Sequence, residues 1–363
     1  MSTLSSDPAK GGLGSPISNG ADRHSTDVGN APAATASLDA RRIGIPALVF
    51  MIIAASAPLT VVAGGVPSNF AVTGLVGIPL SFVVLGIILI LFAIGYAAMS
   101  RHVHNAGAFF AYISKGLGKP AGMGAAMTAL VAYNAMQIGI AGMFGFVFSS
   151  FLDTLFGISW SWWICALIAW VIVGIMGVLR VDFSAKVLGI IVGAEFLVVI
   201  VFDIIGLAHS PEGITTDGFA LDQLFAPGVG AALAFSIAAF MGFESGAIYN
   251  EEVKGPRRTA GRATVIAVSI IAVFYAFSAW AMVVGEGASK VIGRSQEFGP
   301  DLMFVFLGEH APVWFVDLGN LLFLTSLLAA LVAFHNIVAR YVFVPARDRV
   351  LPPSPARISR RSR

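Results

Sequence analysis

Two carboxylates and two interrupted stretches are the residues whose types and spacing could do chemistry. Glu195 and Glu244 each lie inside a long apolar run. A carboxyl group in that setting titrates, helps to hold a cation, or stays protonated and hydrogen-bonded between helices, because burial disfavours the charged form. The first interruption is Ser56-Ala57-Pro58-Leu59-Thr60, followed by Gly64-Gly65. Pro58 has no N–H and clashes with the turn before it. The second is Phe240-Met241-Gly242-Phe243-Glu244-Ser245-Gly246, two glycines around a carboxylate. In lipid, the backbone groups freed by a break cost several kcal/mol each unless protein, water or ligand satisfies them. A break therefore predicts a cavity with something polar in it; for either break alone, a proline kink or a glycine packing contact is the alternative. Together, in the first and sixth apolar runs, the two breaks match the arrangement expected of a transport site between inverted repeats. The tripeptides before them also echo each other weakly, Ile53-Ala54-Ala55 and Ile237-Ala238-Ala239.

Other polar groups are less specific. Tyr133, Asn134 and Gln137 fall in the third run. Tyr133 and Gln137 are four residues apart, hence on one helix face, and Tyr133 and Asn134 either line a pocket wall or make interhelical hydrogen bonds. His102 and His104 flank one residue, with no third ligand near in sequence, so an interfacial loop fits better than a metal site. Glu251, Glu252, Lys254, Arg257 and Arg258 form a charged rim with scope for salt links during gating. No phosphate-binding P-loop, GxSxG or HExxH stretch is present, which argues against ATP drive and hydrolysis. No cofactor is expected, and no nucleic-acid partner.

These groups must be positioned by elements that live in a bilayer. Of 363 residues, 57% are hydrophobic and 12% charged, and mean hydropathy is +0.85, whereas a soluble domain carries about 25% charge. Runs long enough to span occur at about 43–66, 75–99, 121–149, 160–179, 186–207, 228–250, 263–285 and 312–345, eight transmembrane helices in an all-α integral membrane protein. With the N-terminus in the cytoplasm, all of the 22 Lys and Arg residues except Lys290 and Arg294 fall on the inner side, so both termini are expected inside. Residues 105–118 and 299–310 read as short interfacial helices, inner and outer respectively. Asp203 and Asp317 fall near the outer surface and are expected to be solvated. Residues 1–40, rich in Ser, Ala, Gly and Asp, read as a disordered cytoplasmic tail, 41–348 as the transmembrane domain and 349–363 as a second tail. The single cysteine, Cys165, rules out a disulfide framework.

From residue 41 to about 358 the chain resembles the amino acid–polyamine–organocation (APC) superfamily of permeases. The likeness rests on four stretches. They are the broken first span IIAASAPLTVVAGG; Ala106-Gly107-Ala108-Phe109-Phe110-Ala111-Tyr112, with Ala108 where a second glycine is usual; FMGFES leading to Glu251-Glu252-Val253-Lys254-Gly255-Pro256-Arg257-Arg258; and Ala339-Arg340-Tyr341 to Arg347-Asp348-Arg349-Val350-Leu351-Pro352, with Arg349 where glycine is usual. The resemblance implies a LeuT-type fold of two five-span inverted repeats, with substrate at the two breaks. N–H groups around Ser56 and Ala57 would hold a carboxylate, and carbonyls near Ala54, Ala238 and Met241 an ammonium, as half-helix ends favour. The family often has Gly-x-Gly in the first break; Ser56-Ala57-Pro58 departs from it, and Pro58 offers no N–H. Pro58, Phe240 and Gly242 complete the expected substrate contacts.

By the same resemblance, Glu244 serves gating or locks the break. Glu195 falls where some proton-coupled relatives carry a lysine, and is expected to couple transport to a proton, or to a sodium ion held with Thr325 and Ser326; a protonated structural carboxyl is the alternative. The function implied is secondary active transport of amino acids or related organic amines across the plasma membrane, by symport or exchange. A membrane-embedded binding or sensing protein, or a non-transporting truncated fragment, is the other reading. Two five-span repeats need ten spans against the eight found here, so an incomplete second repeat is expected, with part of spans six and eight facing lipid.

Overall fold

The computed structural model describes residues 44–100, 108–179, 185–244 and 256–347, within the unit Ala40–Arg363. Expectations for the two tails, for His102 and His104, for the Ala106-Gly107 pair and for 245–255 lie outside the described residues, as do the side chains of Arg257 and Arg258. Every regular element among the described residues is helical.

The first span is built in two pieces. Helix α1 (Ile45–Ala55) opens with Pro46 in its first turn, where a missing N–H costs nothing. It ends because Ala57 takes a positive φ of 44° ahead of Pro58, which disfavours helical geometry in the residue before it. Pro58 then starts the next piece. A π turn over Thr60–Gly65, closed by the Val66 N–H on Val61 O, leads into α2 (Val66–Thr73), which Gly74 terminates in the left-handed conformation. The two pieces together make a span of 29 residues.

The following helices are α3 (Ile78–Ser100), α4 (Ala108–Leu117), α5 (Lys119–Phe156), α6 (Trp162–Leu179), α7 (Ala185–Ala208) and α8 (Val229–Ala238). Four more complete the described chain: α9 (Pro256–Glu286), α10 (Val291–Phe298), α11 (Leu302–His310) and α12 (Val313–Arg347). Among the described residues, six helical spans are long and apolar enough to cross a membrane, against eight expected. The other two expected spans are present as shorter apolar helices, Trp162–Val178 and Val229–Ala238. The second of these is short because it stops at the break. Large apolar side chains face outward on these helices, Leu91, Ile138, Trp170 and Val273 each being about two-thirds exposed or more, as a lipid-facing surface requires.

Helix α9 packs along α3 and also against α1 and α7, while α12 packs on α5, α6 and α7. Leu59, Phe82, Phe202, Tyr275 and Phe323 are fully buried between them. One expectation is corrected here. Asp203 is not solvated: it is 2% exposed, and its Oδ2 accepts a 2.9 Å hydrogen bond from Ser278. Backbone contact between α7 and α9 explains it. A Cβ on Gly206 would lie 2.9 Å from Ala281 O, and one on Gly285 would lie 2.9 Å from the Gly206 Cα, so only glycines let α9 close over that face. Asp317 is exposed, as expected. The segment at 299–310, expected to lie along the interface, is helical from Leu302, but Leu302, Met303, Phe304 and Leu307 are buried in protein.

Candidate functional site

The two breaks meet. In the sixth span, α8 tightens into three-residue turns, with Phe240 N–H on Ile237 O and Met241 N–H on Ala238 O. It then turns off at Gly242, whose φ is +105°. A Cβ added there would sit 3.2 Å from Ala55 O and 3.6 Å from the Ala55 Cβ, so the glycine of one break lies directly against the other break. The Gly242 N–H donates to Glu244 Oε2 at 3.1 Å. Glu244 is 3% exposed, and its Oε1 has no hydrogen-bond partner among the described residues.

Between the breaks lies a cavity of about 340 Å³, within the range of small-molecule sites. Ala55, Ser56 and Ala57 border it from the first break, and Ala238, Ala239 and Met241 from the sixth span. Thr60, Val61, Ser68 and Asn69 continue the wall along the first span. Helix α5 contributes Met136, Gly139, Ile140 and Met143, and α12 contributes Ala330 and Phe334.

Four of the expected substrate contacts, Ser56, Ala57, Ala238 and Met241, border this cavity. Ala54, Pro58, Phe240 and Gly242 are in the breaks but do not line it. Phe240 is buried against Phe82 and Tyr275, with ring centroids 6.1 and 5.9 Å away. Tyr133 sits behind the wall, 5.8 Å from the Phe334 ring and 5.4 Å from that of Tyr341. Asn134 points elsewhere: it is exposed, donates to Leu130 O at 2.7 Å, and borders a separate groove with Gln137 and Trp170. The stripe that does line the cavity, Met136, Ile140 and Met143, has helical spacing but no polar atom to mark it.

The backbone at the first break is also more satisfied than expected. The Ser56 N–H bonds to Ile53 O and the Ala57 N–H to Ala54 O, both at 3.1 Å. The helical turns run on to Ala57 before the chain reverses φ, so these N–H groups are not free. The Ser56 Oγ donates to Ile52 O, and the Ser56 carbonyl accepts the Tyr275 hydroxyl at 3.1 Å.

Glu195, 2% exposed on α7, stands behind the same break. Thr60 Oγ1 donates to Ser326 Oγ at 3.0 Å, and Ser326 Oγ donates to Glu195 Oε2 at 3.0 Å. The Leu59 N–H faces the same carboxyl group. Thr60 lines the cavity, so a chain of hydrogen bonds joins the cavity wall to Glu195. Thr325 is not part of it. Its side chain is exposed and donates back to Leu322 O, because neighbouring residues on a helix face different ways. Among the described residues, no group of three or more His, Cys, Asp or Glu side chains could hold a metal ion.

This geometry can hold a small molecule bearing both signs of charge between helix ends, with a mostly apolar remainder. A comparison with protein families finds a match to the amino acid permease model over residues 48–363. A comparison with individually curated proteins finds no match. Since the match spans most of the sequence, the chain belongs to the amino acid permease family of the APC superfamily, membership that implies a multi-pass membrane protein of amino acid transport and not an enzyme.

Proposed function

We propose that the protein is a secondary active transporter in the plasma membrane, with both termini cytoplasmic and a LeuT-type arrangement of its helices. It carries an amino acid through the cavity between the first and sixth spans by alternating access, in symport or exchange driven by a proton or sodium gradient. The observation that carries this reading is that the two helix breaks border one cavity. Broken helices put half-helix ends, with their dipoles, beside a cavity where a zwitterion needs them.

Glu195 is the coupling group in this reading. Its carboxyl is reached from the cavity through Thr60 and Ser326, so a ligand that displaces Thr60 alters the hydrogen bonding at Glu195. Glu244 locks the sixth-span break by accepting from the Gly242 N–H. The test is uptake of a radiolabelled amino acid into proteoliposomes across a range of pH, with and without sodium, for wild type and Glu195→Gln. The variant is expected to lose gradient-driven accumulation and to show a flattened pH profile. Unchanged uptake with an unchanged pH profile rules out the coupling role of Glu195. Binding without uptake in the wild type rules out transport by this chain.

A further inference from the structure

The side chains that line the cavity bear on which amino acid it takes. Among the described residues bordering it, none is charged. The hydroxyls present are engaged already: Ser56 donates to Ile52 O, Ser68 to Gly64 O and Thr60 to Ser326. The Asn69 amide spends its hydrogens on Ala232 O and Ser236 Oγ, and its buried Oδ1, without a partner among the described residues, is an uncharged acceptor. The two buried carboxyls nearest the breaks, Glu195 and Glu244, do not border the cavity. The rest of the wall is large and apolar, with Phe82 from α3, Met136, Ile140 and Met143 from α5, Phe235 from α8 and Phe334 from α12.

A charged side-chain end brought into such a space gives up its water and meets no opposite charge. A polyamine can leave one ammonium to the carbonyls of the breaks, and meets the same objection at every further nitrogen. An aliphatic, thioether or aromatic side chain loses nothing by leaving water and packs against thioether and ring surfaces that adapt to its shape. The α-ammonium and α-carboxylate common to all amino acids are left to the half-helix ends at the breaks, whose dipoles favour a cation at one and an anion at the other. Resting on the reading of this cavity as the transport site, we infer that the substrate is a zwitterionic amino acid with a large, uncharged, apolar side chain. Met136, Ile140, Met143 and Phe334 form the wall that selects it. Lysine, arginine, aspartate, glutamate and polyamines are excluded.

Each CH2 buried is worth about fourfold in affinity, so leucine, with three more carbons than alanine, binds up to about 60-fold more tightly. The experiment is a thermal-shift titration of the purified full chain with leucine, methionine, phenylalanine, alanine, lysine, glutamate and putrescine, each alone. The first three are expected to give the tightest half-saturation, alanine a value at least about tenfold weaker, and the charged compounds no shift. In Met136→Ala and, separately, Phe334→Ala, the leucine-to-alanine preference is expected to fall by about tenfold. Two variants on different helices guard against one failing to fold, which a monodisperse elution profile checks. A lysine, glutamate or putrescine shift equal to that of leucine overturns the substrate class; if Met136→Ala removes that shift, the site itself stands. A leucine preference unaltered in both variants overturns the site while leaving the class. No shift from any compound overturns both.

Discussion

Replacing Gly242 with alanine tests the apposition of the two breaks. The wild-type residue has φ +105°, a conformation that side chains avoid. The added methyl would sit 3.2 Å from Ala55 O and 3.6 Å from the Ala55 Cβ, closer to the oxygen than ordinary van der Waals contact. A residue held in a sparsely populated backbone region costs roughly 1–3 kcal/mol, so a central figure is about 2 kcal/mol. The strain is relieved if the sixth-span break moves away from Ala55, which separates the two walls that a bound amino acid must bridge. Binding then has to restore the apposition, and at a factor of ten per about 1.4 kcal/mol the affinity falls by up to about 30-fold. Equilibrium binding of radiolabelled leucine to purified protein reads this directly. Gly174→Ala is the control, because its Cβ meets nothing within 4 Å and its φ is not positive. Leucine affinity in Gly242→Ala within twofold of wild type, in a monodisperse preparation, refutes the apposition.

Three further outcomes are expected. Tyr275→Phe removes the hydroxyl that donates to Ser56 O in a fully buried setting; it should cost about 1 kcal/mol of stability, and an unaltered denaturation midpoint would show that this bond does not hold the break. Arg294 pairs with Glu286, whose side chain is 3% exposed, and with Glu309, but is itself 28% exposed. Arg294→Ala should therefore destabilise by about 2 kcal/mol, between the roughly 0.5 of a surface pair and the roughly 4 of a buried one, and restoration by Glu286→Gln would show that the stranded carboxylate is the cause. Glu212 accepts from the Ser289 hydroxyl and N–H, which hold its carboxyl below its usual value of 4.5. A lowered folded value means that the stabilisation is present above pH 4.5 and is lost as pH falls through the folded value. Amides near Ser289 should lose hydrogen-exchange protection in acid beyond the intrinsic rate change, and Glu212→Gln should abolish that dependence.

The breaks were legible in the sequence because proline and paired glycines are poor helix material wherever they stand, and an apolar run makes the interruption visible. A carboxyl group in such a run is equally visible, and Glu195 and Glu244 are both buried beside the breaks. The cavity wall was not legible in the same way. Apolar residues lie on all sides of α5, so Met136, Ile140 and Met143 cannot be told from exposed neighbours such as Ile138 without knowing where α12 packs. Tyr133 and Asn134 stood out by polarity, yet one packs behind the wall and the other faces away. The burial of Asp203 depends on Gly206 and Gly285 meeting across two spans, which spacing within one run cannot reveal. The satisfied N–H groups of Ser56 and Ala57 depend on how far the turns of α1 continue, a matter of one or two residues.

The most direct test of the account is protection of the cavity wall by substrate. In a Cys165→Ser background, which removes the single native cysteine, Met136→Cys places a thiol in the cavity wall, and Asp222→Cys places one in the exposed connection between α7 and α8 as a control. Alkylation rates are measured by mass spectrometry over a leucine titration. The account predicts that leucine slows modification at position 136 with a half-effect at its dissociation constant and leaves position 222 untouched. An alkylation rate at 136 that is the same with saturating leucine as without it contradicts the claim that the amino acid binds between the two breaks.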